Sequence, residues 1–146
     1  MDSAVPASGP QAASPARRIL LVDDDALITR SLTRALRTLS DRLHVEVAHS
    51  GAEALVALER AAFDAVITDL QMPGVSGVEW LRQLRRAHPQ LPCLVHSSQL
   101  ESFGEDEVRR LAHATLAKPA SLPMLLDALQ RVWRSETVQA GGLRSA

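Results

Sequence analysis

The chain is short of several things, and each shortage narrows what it can be. Of its 146 residues one is a cysteine, Cys93, and none is a tyrosine. A single thiol excludes an internal disulfide framework and any all-cysteine metal site. A surplus of charge is also missing, since 16 basic side chains face 17 acidic ones for a formal net charge of −1. Binders of duplex nucleic acid usually carry a clear basic excess, so direct nucleic-acid binding is not expected. No apolar run approaches the ~18 residues of a membrane span, and no charged start leads into an apolar stretch at the N-terminus. The expectation is a cytoplasmic protein without membrane insertion. There is no internal repeat. What remains is 46% hydrophobic over this length, enough for one domain with a proper core.

Residues 1–16 are mostly Ala, Ser, Pro and Gly, with Val5 the one branched aliphatic. Such a segment buries too little apolar surface to offset its ordering entropy, and a flexible tail is expected there. A second flexible tail is expected over 136–146, around Gly141-Gly142. The domain then spans 17–135. Within it, Ile19-Leu20-Leu21-Val22 is an unbroken apolar run that stops at Asp23-Asp24-Asp25, the pattern of a strand buried on both faces. Ile28, Leu32, Ala35, Leu36 and Leu39 follow at helical spacing. Leu43–Ala48 reads as a weaker strand, and Ser50-Gly51-Ala52-Glu53 as a capping box opening a second helix. Phe63–Thr68 is a third strand ending at Asp69, followed by a loop through Gln71-Met72-Pro73-Gly74 and a helix with Val78, Leu81 and Leu84. Leu91–His96 is a fourth strand, ahead of Ser97-Ser98, and a faintly periodic helix is expected over 100–112. Thr115–Ala117 makes a short fifth strand before Lys118-Pro119, and Ser121 caps a last helix carrying Leu122, Leu125, Leu126, Leu129, Val132 and Trp133. Five βα units imply an α/β fold, a parallel sheet with helices on both faces.

In an open parallel sheet the functional groups collect beyond the C-terminal strand ends. Those ends carry Asp23-Asp24, Asp69, Ser97 and Lys118. Carboxylates packed together oppose one another's ionisation, and a divalent cation relieves the repulsion. An all-oxygen ligand set favours a hard ion such as Mg²⁺. A carboxylate beside that ion can attack a phosphoryl group, whose oxygens an ammonium (Lys118) and a hydroxyl (Ser97) would then stabilise.

Three segments, Leu20–Asp25, Asp69-Leu70-Gln71-Met72-Pro73-Gly74-Val75-Ser76-Gly77 and Lys118-Pro119, resemble the receiver domain of two-component response regulators. The resemblance runs from about Arg18 to Arg134 and implies a doubly wound, five-stranded, flavodoxin-like sheet. It implies that Asp69 is the phosphoacceptor, supplied by the phosphohistidine of a sensor histidine kinase or a histidine phosphotransfer protein. It implies that Asp23, Asp24, Asp69 and the backbone carbonyl of Gln71 hold Mg²⁺. Ser97 matches the switch hydroxyl, and Lys118 the lysine whose following peptide bond is typically cis. Beyond self-phosphorylation and self-dephosphorylation at Asp69, no enzyme activity is implied. Output would pass to a downstream protein target, and the last two βα units are a candidate homodimer face. With tails too short and polar for an effector, a stand-alone receiver is expected.

The sequence departs from that family at Thr115, where receivers commonly carry Tyr or Phe, and in lacking glycines ahead of the fifth strand. This motivates a second reading, an adaptor that binds its partner without a phosphorylation switch. A third is a Mg²⁺-dependent phosphohydrolase of the haloacid-dehalogenase type, suggested by the run Asp23-Asp24-Asp25. Of the other polar residues, Asp25 reads as a helix cap and His96 as a packed or surface residue. His44, His49, His88 and His113 read as solvated. Trp80 and Trp133 read as packing aromatics, and Arg82, Arg85 and Arg86 as a solvated helix face.

Overall fold

The computed structural model describes residues 16–100 and 104–145. Among the described residues, five strands alternate with five helices. They are β1 (Arg17–Val22), α1 (Ala26–Leu39), β2 (Leu43–Ala48), α2 (Gly51–Arg60), β3 (Ala65–Thr68), α3 (Gly77–Ala87), β4 (Cys93–Ser97), α4 (Glu105–Leu111), β5 (Ala114–Ala117) and α5 (Leu122–Ser145). All pairings are parallel, in the order β2-β1-β3-β4-β5. The chain leaves β1 toward one edge and then crosses back to β3, so β1 and β3 flank the point where strand order reverses. That crevice is where an open α/β sheet binds ligands.

Strand alternation sorts the apolar run of β1 onto two faces. Leu20 and Val22 join Val66 of β3 and Val95 of β4 in a core with Ala54, Trp80, Leu81 and Val108. Ile19 and Leu21 join Ile67 and Leu94 in the opposite core, against Leu36, Leu125 and Leu129. Burial on both faces is the physical reason that β1 shows no polar alternation. β5, at the sheet edge, is only partly buried.

The helix ends follow local chemistry. Asp25 caps α1, its Oδ1 accepting from Leu27 N at 2.9 Å and Ile28 N at 3.3 Å. Ser50 Oγ accepts from Glu53 N at 3.1 Å, while Glu53 Oε1 accepts from His49 N at 2.9 Å, one residue before the cap. Ser121 Oγ accepts from Met124 N at 3.3 Å at the start of α5.

One helix is described only in part, and another differs from expectation. The fourth helix is Glu105–Leu111, opening after Gly104, and residues 101–103 of the helix expected over 100–112 lie outside the described residues. The backbone of α5 stays helical through Ser145, across the glycine pair taken as the mark of a flexible tail. Glycine inside a helix costs only about 1 kcal/mol relative to alanine and need not end one. The tail expected over 1–16 lies, up to residue 15, outside the described residues. Among the described residues, no helix is long and apolar enough to cross a membrane.

Candidate functional site

The ends of β1 and β3 put Asp23 and Asp69 side by side, because Val22 is in register with Thr68. Asp69 N–H donates to Val22 O at 2.9 Å, the last bond of that ladder. Both carboxylates are buried, and Asp24 is exposed at the rim. Asp23 Oδ1 accepts from Asp25 N at 2.9 Å. Asp69 Oδ1 accepts from Leu70 N at 2.7 Å and Gln71 N at 3.2 Å, which turns the chain sharply after the strand. The remaining oxygens share one cation: Lys118 Nζ donates to Asp23 Oδ2 at 2.7 Å and to Asp69 Oδ2 at 3.1 Å. Burial pulls the Lys118 pKa down, but hydrogen bonds to Asp23 and Asp69 and their charges outweigh it, and the net shift is upward. The ammonium is held charged.

Lys118 follows β5, where its N–H donates to Ser97 O at 2.9 Å, and its peptide bond to Pro119 is cis. Ser97, at the end of β4, is fully buried, and its hydroxyl accepts from Gln99 N at 3.3 Å. Direct side-chain bonds thus join Asp23, Asp69 and Lys118, and Ser97 is tied in through the backbone. Gln71 lies at the mouth, where its Oε1 accepts from Ser98 Oγ at 2.8 Å and so links the loops after β3 and β4. The loop after β3 is pinned from behind by α3. A Cβ at Gly77 would stand 2.6 Å from Leu70 Cβ, so only glycine permits this approach.

Several contacts gave no signal in the linear sequence. His96 is buried, its Nε2 accepting from Ala120 N at 3.3 Å across the loop after Lys118. Ser98, next to Ser97, makes the bond to Gln71. Trp80 packs in the core as expected, and its Nε1 also donates to Thr68 Oγ1 at 2.9 Å. Arg82 is not simply solvated: it reaches Glu107 of α4 at 2.6 Å and Glu79 at 3.3 Å.

One oxygen each from Asp23, Asp24 and Asp69 lies within 4.8 Å of the others, an arrangement able to hold a metal ion. Three carboxylates against one ammonium leave the pocket short of positive charge, and hard oxygen donors suit a hard divalent cation. Chemically, the pocket can bind such an ion and place a carboxylate oxygen and an ammonium on one phosphoryl group.

Residues 19–130 match the sequence family described as the response regulator receiver domain. The chain belongs to that family. A response regulator receiver protein of Anaeromyxobacter sp. (strain Fw109-5) is 35% identical over 112 residues, 76% of this chain and 46% of the relative. The response regulator MprA of Mycolicibacterium vanbaalenii is 37% identical over 131 residues, 88% of this chain and 55% of the relative. The receiver chain therefore spans about half the length of these curated relatives. Among solved structures, the chemotaxis response regulator CheY4 of Vibrio cholerae superposes with a TM-score of 0.70 at 30% identity, covering 80% of this chain and 98% of that one. The response regulator TrrA of Thermotoga maritima, solved in complex with Mg²⁺ and BeF, gives 0.70 at 25% identity, covering 79% and 97%. The flavodoxin-like, five-stranded receiver fold expected from the motifs is the fold observed. The phosphohydrolase reading finds no support among these relatives.

Proposed function

We propose that this receiver accepts a phosphoryl group on Asp69 from a partner phosphohistidine in a Mg²⁺-dependent step, and signals through changed partner binding. The observation that carries the reading is the bonding around Lys118, one ammonium shared at 2.7 and 3.1 Å by two buried carboxylates. The donor set fits Mg²⁺: Asp23, Asp24 and Asp69 would hold it with the Gln71 carbonyl, and the ion would offset negative charge on the phosphoryl oxygens. An Asp69 carboxylate oxygen attacks phosphorus, the P–N bond to the donor imidazole breaks, and its electron pair returns to the ring nitrogen, the ring leaving as neutral imidazole with the proton already on its other nitrogen. Lys118 stabilises charge on the transferring group, and the Ser97 hydroxyl would supply a further donor to it. Water attack on phosphorus of the resulting acyl phosphate breaks the bond to the carboxylate oxygen, releases inorganic phosphate and restores Asp69.

On this reading the donor in the cell is a sensor histidine kinase or a histidine phosphotransfer protein. Its approach is served by a groove of about 410 Å³ beside the site, lined by Leu27, Ile28, Leu32, His96 and Pro119. Leu27 is 70% exposed there, an apolar contact left open at the edge of the site. Thr115, in place of a ring, favours output through shifts of the 97–118 surface to a downstream protein target. Incubation with Mg²⁺ and acetyl phosphate is expected to give a base-labile adduct that Asp69→Asn loses and that chelation of Mg²⁺ prevents. Labelling of Asp69→Asn to the wild-type extent would overturn the assignment. Partner affinity that is identical before and after phosphorylation would favour the constitutive adaptor.

A further inference from the structure

Behind the acceptor lies a buried polar chain that the chemistry above does not use. Trp80 is fully buried on α3, and its Nε1–H donates to Thr68 Oγ1 at 2.9 Å. Thr68, equally buried, donates its hydroxyl to the carbonyl oxygen of Asp69 at 2.8 Å. The direction is fixed by chemistry, because an indole N–H can only donate and a hydroxyl has one proton to pass on. The order therefore runs from Trp80 through Thr68 to the backbone of the acceptor residue.

We infer that Trp80 and Thr68 are positioning residues for phosphoryl transfer, acting through the Asp69 carbonyl; this rests on Asp69 being the phosphoacceptor. Three features make the chain stiff. The indole is wedged against α2, where a Cβ at Gly51 would lie 2.9 Å from Trp80 Cε3, so the ring has no space to retreat. The Asp69 N–H is held by Val22 O at 2.9 Å, so the residue is gripped at both of its backbone polar groups. Its carboxylate in turn holds Leu70 N and Gln71 N, at 2.7 and 3.2 Å. Residues 68–71 thus form one hydrogen-bonded unit whose rear anchor is Trp80 and whose front is the reacting oxygen. Buried hydrogen bonds in series polarise one another, and loss of a middle member leaves its neighbours unsatisfied. A tryptophan at this place would otherwise read as bulk, yet a phenylalanine would pack there without supplying the proton that starts the chain.

The test measures acetyl phosphate labelling of the full chain in Mg²⁺, as maximal rate and half-saturating donor concentration, with thermal stability recorded for each variant. Thr68→Val and Trp80→Phe are each expected to slow the maximal rate about tenfold, the scale of a small misplacement of a reacting group, with half-saturation unchanged. Thr68→Ser, which keeps the hydroxyl, is expected to label at the wild-type rate. The double variant Thr68→Val/Trp80→Phe is expected to be no slower than the slower single one, since both break the same chain. Equal slowing by Thr68→Ser and Thr68→Val would assign the effect to side-chain shape at residue 68 rather than to the hydroxyl and overturn the inference. Multiplicative losses in the double variant would do the same. If Trp80→Phe fails to fold, the serine and valine pair at 68 still decides the matter. Wild-type labelling by Thr68→Val beside an inert Asp69→Asn overturns the positioning role alone, whereas labelling of Asp69→Asn overturns the acceptor assignment and this inference with it.

Discussion

The two ends of the sheet are built from similar residues and differ in how their charges are settled. At the N-terminal end acid and base meet with little left over. Arg18 N–H donates to Asp64 Oδ2 at 2.7 Å, and the Arg18 guanidinium reaches Glu46 at 3.1 Å while lying 5.2 Å from the Phe63 ring centre. Arg17 sits 4.5 Å over Trp133, whose Nε1 donates to Asp64 O at 3.0 Å. At the C-terminal end three carboxylates gather around Lys118. One end is completed by the chain itself. The other keeps a negative surplus that a bound cation would balance, an unstable arrangement retained where chemistry needs it.

Lys118→Ala should break that contrast most severely. The Lys118 side chain is 13% exposed and its partners are 3% and 5% exposed, so removing it leaves two buried carboxylates without their ammonium. A loss of about 3 kcal/mol is expected, the low end for breaking a buried pair because the pocket mouth meets water. The labelling rate should fall about a hundredfold with it, as for loss of one electrostatic stabiliser. Urea denaturation with and without Mg²⁺ checks the cause, since millimolar Mg²⁺ should restore more stability to this variant than to wild type. Equal restoration in both would mean that the carboxylates are not the source of the loss.

How much of this was legible in the sequence also differs between the two ends. At the C-terminal end the fold announces itself. Apolar runs stop at Asp23, Asp69 and Lys118, and the topology alone carries those stops to one crevice. Asp25 as a cap was equally readable, because a cap acts on its own helix. The N-terminal end was opaque, because its bonds join residues far apart in the chain. Trp133 meets Asp64 across 69 positions, and His113 Nδ1 accepts from Cys93 N across 20. No local pattern marks a histidine that will meet a strand end. Trp80 shows the same limit at the active end, since its spacing revealed that the ring is buried but not where its single N–H points.

A smaller effect is expected from Asp64→Ala, at the settled end. It removes the acceptor for Arg18 N–H and the carboxylate 4.0 Å from Arg17. The cost should be about 1 kcal/mol, as for one partly exposed hydrogen bond. Asp64→Asn, which retains an acceptor oxygen, should recover most of it. Labelling at Asp69 should be unchanged in both variants. A labelling defect at wild-type stability would show that the two ends are coupled, which their separate bonding does not suggest.

The finest test concerns His96, a residue at the active end that is bonded in the manner of the other end. Its buried ring accepts from Ala120 N, which requires the neutral imidazole. Burial pushes its pKa below the ordinary 6.5; Lys118 pushes the same way, and Asp23 and Asp69 offset part of this. The unfolded chain therefore binds this proton more readily than the folded one. Above about pH 6.5 both states are neutral at His96, and the residue adds no pH dependence. As pH falls below that, the unfolded state gains a proton first and stability declines, until the folded pKa is passed. His96→Gln offers an acceptor oxygen without titrating, so its stability should fall less than that of wild type between pH 7.5 and 5.5. Parallel profiles for the two proteins would remove His96 from the account. A flatter profile would show that the contrast between the ends lies in charge, since a group placed beside Lys118 can still be fully settled by one backbone N–H.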